Sequence, residues 1–239
     1  MAKTTSPFKR VWQLVNLVGG FTTLYFMVIR PWHLKWGATP AEVDRALPGD
    51  ELIPEAKINA THAITIDAPL DRVWPWIAQI GQGRGGFYSY EFIEDAMGLN
   101  IHNVDEILPD LPAPQVGDRL MLSDDFGVPY VVVDAPRALV VHGDTRTGGG
   151  NALRLRAGDH VAVTWGWYLE PIDAHTTRLI ERWRADYGPG LLNTLGYRLL
   201  MEPGAFIMQR KMLLGIKARA EKSDAASEAV YEPDPVTTD

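Results

Sequence analysis

A short part of this sequence, residues 79–103, holds several side chains of the types that bind or polarise a carbonyl group. These side chains are Arg84, Tyr88, Tyr90, His102 and Asn103. A guanidinium or phenol can stabilise negative charge on an oxygen atom, and a histidine can also move a proton. We therefore predict that the segment forms a polar rim around a ligand, with Arg84, Tyr90 and His102 as candidate catalytic residues.

A structural interpretation of the same residues is also open. The hydroxyls of Tyr88 and Tyr90 can bond to backbone groups, Arg84 can pair with a carboxylate, and His102 can complete a loop. Only the geometry of these groups decides between the two interpretations.

Three glycines in this segment, Gly81, Gly83 and Gly86, match the GxGxxG pattern of dinucleotide-binding loops. That pattern requires a buried strand immediately before it. Here the preceding residues repeat at helical spacing and contain Pro75, so we predict a turn between two helices rather than a nucleotide site.

Glu181 is the fourth candidate, for both ligand binding and catalysis. It lies in a predicted strand at 176–187, where a period of two places it on the same face as Leu179 and Trp183. An unpaired acid on an inner face costs several kcal/mol. Either Glu181 faces inward and has a partner, or a bulge shifts the register and leaves it in solvent.

Tryptophans define one face of the preceding predicted strand, 161–170. Trp165 and Trp167 share this face with Val163 and Leu169. We predict that the face points inward, and we include both tryptophans among the ligand-binding candidates.

The remaining pattern predicts an α+β fold. A strand at 62–67 precedes two helices, the first over 69–81 and the second ending near Gly98. Strand patterns follow at 118–122, 130–134, 138–142, 152–156, 161–170 and 176–187, and helical spacing returns over 190–222. Residues 37–57 are predicted to be a linker with a short helix capped by Thr39, and the acidic tail, 223–239, is predicted to be disordered.

The N-terminal part, residues 1–36, is a hydrophobic segment. Residues 11–29 carry no charge over 19 positions and are flanked by Lys9, Arg10, Arg30 and Lys35. At about 1.5 Å per residue this run spans a hydrocarbon core of about 30 Å. We predict a single-pass membrane anchor, with its orientation left open. The alternative is a helix that lies on the domain or on the membrane surface.

Composition excludes several classes of function. The net charge is −7 with scattered basic residues, which argues against nucleic-acid binding. The chain has no cysteine, and its six histidines form neither an HxH nor an HExxH pair. We therefore predict no metal and no cofactor, and we make no prediction of the oligomeric state.

Four stretches carry a resemblance to a known family. They are WGAT at 36–39, LPGDELIP at 47–54, RVWPWIAQIGQGRGGFYSYE at 72–91 and IHN at 101–103. With the order of elements, they resemble the START/SRPBCC superfamily, and more narrowly a group of bacterial SRPBCC proteins labelled polyketide cyclase-like. The resemblance implies a helix-grip domain over 58–222.

The family implies a cavity between the sheet and the last helix that holds a hydrophobic small molecule such as a lipid, sterol or polyketide. We therefore expect ligand binding or transport. The alternatives are a polyketide cyclase or dehydratase and, if the core has no cavity, a structural membrane-bound interaction module. No catalytic motif of the cyclases aligns here, so no catalytic residue is carried over from them.

Overall fold

A computed structural model describes residues 7–147 and 159–230 of the chain. The strand predicted at 152–156 and the last part of the predicted tail, 231–239, lie outside these ranges. The helix-forming residues before the sheet are α1 (Pro7–Leu24), α2 (Arg30–His33) and α3 (Pro40–Asp44), with a π-helical turn at Tyr25–Ile29 between the first two.

The central domain begins with β1 (Ile58–Ile66), followed by α4 (Leu70–Ala78) and α5 (Glu91–Ala96). Five further strands follow, which are β2 (Arg119–Met121), β3 (Gly127–Asp134), β4 (Ala138–Asp144), β5 (Val161–Pro171) and β6 (Thr177–Tyr187). The described chain ends with α6 (Leu191–Gly196), a π-helical turn at Tyr197–Met201 and the long α7 (Glu202–Val230), which continues past the predicted end at 222.

The described strands form one antiparallel sheet in the order β1-β6-β5-β4-β3-β2. In the register of β5 and β6, Trp165 pairs with Trp183 and Trp167 pairs with Glu181. Because side chains alternate across a strand, this register places all four on one face. Apolar side chains of α7, such as Leu213 and Ile216, pack in the same core cluster as this face.

The inner face predicted for Trp165 and Trp167 is therefore confirmed. A sheet that wraps one long C-terminal helix, with two short helices after its first strand, is the helix-grip fold that the sequence resemblance implied. The α+β prediction is confirmed with it.

Residues 37–57 cover the opposite face of the sheet, and we call them the outer strap. The guanidinium of Arg182 is buried and bonds to Asp50 and to the backbone carbonyls of Glu42, Val43 and Arg45. The short helix of the strap starts at Thr39 with the reciprocal capping box that its sequence predicts. The strap is thus a second cover of the sheet rather than a free linker.

The second half of the N-terminal segment contacts the chain where α7 begins. Arg30 makes two bonds to the buried carboxylate of Glu202, at 2.7 and 2.9 Å, and the Tyr25 hydroxyl donates to the carbonyl of Arg198. No helix in the two described ranges is long and apolar enough to cross a membrane. The transmembrane anchor predicted over 11–29 is therefore not supported.

Candidate functional site

A cavity of about 370 Å³ lies between the inner face of the sheet, α5 and the first half of α7. Most of its lining is apolar, with Leu120 and Val141 from the sheet and Met212 from α7 among the residues that form it. Aromatic rings of Phe87, Trp165 and Trp183 also border it, as do three polar side chains, Ser89, Glu94 and Gln209. Such a space suits a mainly hydrophobic ligand with few polar groups.

Glu94 has no sequence signal that marks it as a site residue, yet it lines this cavity. Its side chain sits on α5 with only 3% of the residue exposed, and its Oε2 atom is buried without a hydrogen-bond partner in the described chain. Burial, reinforced by the carboxylates of Glu91 and Asp95, raises the pKa of Glu94 to about 7. The carboxyl therefore changes charge near neutral pH.

The buried face of α5 differs from the one that its apolar residues indicate. Phe92 is 70% exposed and Met97 is 67% exposed, whereas Glu94 points inward. Ser89 does not cap the helix, because Tyr90 occupies that position and the Ser89 hydroxyl instead donates to the carbonyl of Met208 on α7. A helix of less than two turns is oriented by its neighbours, here α7, more than by its own periodicity.

Glu181 faces inward, as one of the two alternatives predicted, and it has partners. Its carboxylate is fully buried, with Oε2 at 2.7 Å from His62 Nδ1 and Oε1 accepting from Trp165 Nε1 at 2.5 Å. His62 is 1% exposed, and its Nε2 lies 2.8 Å from the carbonyl oxygen of His33. Glu181 therefore contacts no cavity space directly, but it fixes the indole of Trp165, which does.

The bonds around His62 determine where its protons lie. A carbonyl oxygen can only accept, so Nε2 must carry a hydrogen toward the carbonyl of His33. One further proton is then shared between His62 Nδ1 and Glu181 Oε2. His33 itself is neutral near pH 7, because burial, His62 and Arg30 lower its pKa to about 4.

The five candidate site residues of the segment 79–103 do not line the cavity; they are Arg84, Tyr88, Tyr90, His102 and Asn103. Arg84 donates to the carbonyls of Ala78 and Pro112, and the hydroxyl of Tyr88 donates to the carbonyl of Trp76. Both sets of contacts hold the loop between α4 and α5 in place. Tyr88 bonds to the backbone as the structural interpretation predicted, whereas Arg84 bonds to backbone carbonyls instead of the predicted carboxylate.

The other three predicted residues of this segment also lie apart from the cavity wall. The ring of Tyr90 packs edge-on against Phe92 and under the ammonium of Lys211, and His102 is exposed. Asn103 bonds through its side chain to the backbone of Tyr88 and Ser89, which ties the two ends of the segment together. Close packing at Gly86 supports this joint, since a Cβ there would lie 2.5 Å from the carbonyl oxygen of His102.

The predicted tryptophans divide between the cavity and the core. Trp165 lines the cavity, while Trp167 is fully buried in the core cluster and does not border the space. Trp183, which the sequence places on the same face, also lines the cavity. The period of two identifies the face, but not which ring meets open space.

Replacement of Glu181 tests the buried pair. Glu181→Ala leaves the N–H of Trp165 without an acceptor and His62 without its partner, so we expect a loss of about 3 kcal/mol in the free energy of unfolding. Glu181→Gln should cost about 1 kcal/mol or less, because its amide can accept from Trp165 and donate to a neutral His62. Urea unfolding measures both.

The matched control for this pair is Glu170→Ala on the neighbouring strand. Glu170 pairs with Arg45 at 2.5 Å near the surface, and its removal should change stability by about 0.5 kcal/mol. Equal losses for the alanine and glutamine variants of Glu181 would contradict the bonding described here.

Titration of Glu94 should appear in the pH dependence of stability. Its folded pKa, about 7, lies above the value near 4.5 for the unfolded chain. The stability that the protonated form contributes is present below the unfolded pKa and is lost as pH rises through the folded pKa. Relative to Glu94→Gln, the wild-type protein should lose on the order of 2 kcal/mol between about pH 4.5 and about pH 8.

Urea unfolding at a series of pH values gives this difference directly. Asp110→Asn provides the control, because Asp110 is exposed and is not among the groups that shift the pKa of Glu94. This variant should follow the wild-type curve, and a wild-type curve parallel to that of Glu94→Gln would disprove the pKa shift.

Comparison with known proteins adds structural neighbours. No protein-family model and no curated protein matches the chain. Solved structures that resemble it include a conserved protein from Geobacillus kaustophilus, with 16% identity over 69% of this chain and 96% of that chain and a TM-score of 0.38. A hypothetical protein from Helicobacter pylori is 10% identical over 73% of this chain and 95% of that chain, with a TM-score of 0.44.

A third neighbour is the Zhui aromatase/cyclase from Streptomyces sp. R1128, 14% identical over 72% of this chain and 97% of that chain, with a TM-score of 0.33. At such values the likeness extends to the general course of the chain, and no step of the functional proposal rests on it. The fold assignment follows from the strand order and the position of α7 described above.

Proposed function

We propose that the protein binds a hydrophobic small molecule, such as a lipid, sterol or polyketide, in the cavity between its sheet and α7. The observation that carries this proposal is the cavity itself, a space of about 370 Å³ with a mainly apolar lining. Transfer of apolar surface from water into this space supplies the binding free energy. The buried rings of Trp165 and Trp183 give the ligand a broad contact surface.

The two alternatives find less support. A cyclase acting through Arg84, Tyr90, His102 and Glu181 needs these groups to converge on one ligand, and none of the four is among the residues that line the cavity. A structural module with a filled core does not account for the cavity. Ligand binding without turnover therefore remains the function that the geometry favours.

Filling the cavity tests the proposal. Val163→Phe places a phenyl ring where the smaller side chain of valine lines the cavity. We therefore expect the affinity for n-decanol, measured by isothermal titration calorimetry, to fall about tenfold or more. The matched control is Val116→Phe on an exposed loop, which should bind as the wild type does. Failure of the wild-type protein to bind n-decanol would contradict the proposal, as would equal binding by Val163→Phe.

We propose in addition that the protein contacts a lipid surface from outside. Large apolar side chains are exposed along residues 7–33 and 191–201. They include Phe8, Trp12, Phe21 and Met27 of the first segment and Leu191, Leu192, Leu199 and Leu200 of the second. The bond from Tyr25 to the carbonyl of Arg198 joins the two segments.

The charges of these segments fit an anionic lipid surface. In a chain with a net charge of −7, residues 7–33 and 191–201 contain basic side chains and no acid. Exposed apolar area with adjacent basic groups is typical of helices that lie in the membrane interface. The contact that we propose is peripheral, with the exposed apolar side chains in the interface of the bilayer.

Vesicle sedimentation tests the lipid contact with the full chain. The double substitution Leu192→Ser and Leu200→Ser should reduce binding to vesicles of phosphatidylcholine and phosphatidylserine severalfold, because two apolar side chains no longer enter the interface. Ile172→Ser, at an exposed turn between β5 and β6, serves as the control and should bind normally. No binding by the wild type, or equal binding by the double variant, would refute the contact.

A further inference from the structure

The cavity lining contains a single ionisable side chain among the described residues, and this side chain is Glu94. Its residue is 97% buried, since 3% is exposed, and its Oε2 atom has no hydrogen-bond partner in the described chain. A buried carboxyl that lacks a partner is costly to the folded protein. A ligand that supplies the missing partner recovers part of this cost on binding.

The charged groups that shift the pKa of Glu94 are themselves acidic. On its own helix, Glu91 and Asp95 both raise its pKa. The residues that face the cavity from the sheet and from α7 are uncharged, including Trp165, Trp183 and Gln209. On α7, the ammonium of Lys211 lies over the ring of Tyr90, which is not part of the lining.

This arrangement has the polarity of a cation site. Negative potential at Glu94 favours a positive charge and opposes a negative one. Aromatic rings add to the preference, because a ring face attracts a cation, and the stacked rings of Phe87 and Trp165 border the same space. A fatty acid, which brings a second carboxylate into the cavity, is disfavoured on the same grounds.

We propose that the ligand is a hydrophobic molecule with one cationic amine, which pairs with the carboxylate of Glu94 while its apolar part fills the cavity. This inference rests on the proposed function and adds the chemical class of the ligand. Glu94 then serves as the residue that determines specificity among molecules of equal hydrophobic size. No bond is made or broken in the binding step, and the only change is ionisation of Glu94.

Three probes of equal chain length test the inference at pH 8, namely n-decylamine, n-decanol and n-decanoate. Isothermal titration calorimetry should show that the wild-type protein binds n-decylamine about tenfold more tightly than n-decanol, and n-decanoate most weakly. The affinity for the amine should rise with pH between about 5 and about 8, because the alkylammonium stays charged over this range while Glu94 loses its proton.

Glu94→Gln should give the same circular dichroism spectrum as the wild type, which shows that the variant is folded. It should lose the preference for the amine and the dependence on pH. Asp110→Asn should keep both, because the buried carboxyl and the acids that shift its pKa are intact.

The outcomes separate the two proposals. If n-decanol and n-decylamine bind the wild type equally, the amine inference is refuted and the hydrophobic cavity stands. Retention of the amine preference by Glu94→Gln also refutes the inference, because the preference then has another source. If no probe binds the wild type, the proposed function fails and the inference fails with it.

Discussion

The buried carboxylate of Glu181 imposes the strictest condition on this structure. A fully buried acid is costly unless it has partners, and the partners of Glu181 come from different parts of the chain. His62 lies on β1, Trp165 lies on β5, and His62 in turn bonds to the backbone of His33 in α2. A slip of one residue between these strands would turn the partners to the other face, so the pair specifies the register as well as filling the core.

The other constraint concerns α7, which must close the core at one end and leave space at the other. Gly215 allows the close approach, because a Cβ there would lie 2.4 Å from the carbonyl oxygen of Tyr88. Earlier in α7, the side chains of Met208 and Met212 border the cavity instead. The helix α7 therefore packs against the loop around Tyr88 and Asn103. The polar side chains of this loop hold its shape through hydrogen bonds to backbone groups.

Local patterns in the sequence predicted the α+β class and part of the site, and the family resemblance supplied the helix-grip fold. The alternation in β5 and β6 depends on each strand alone, and it correctly placed Trp165 and Glu181 on the inner face. Glu94 was missed because the orientation of one short helix depends on α7, more than a hundred residues later. Arg84 was a candidate because its type suits ligand binding, but its partners are backbone carbonyls that carry no signature in the sequence.

The outer strap has a consequence for the way the protein is made. Residues 37–57 precede every strand in the chain, so they leave the ribosome before the sheet that they cover exists. Arg178 and Arg182, which bind the strap, belong to the last described strand. Their bonds join residues more than 130 positions apart in the sequence, as in the bond from Arg178 to Glu42. Long-range contacts of this kind form late and slowly. Until β6 is synthesised, the strap therefore lacks its bonds to Arg178 and Arg182, and only its contacts with the earlier strands, such as that of Pro48 with Tyr168, can form.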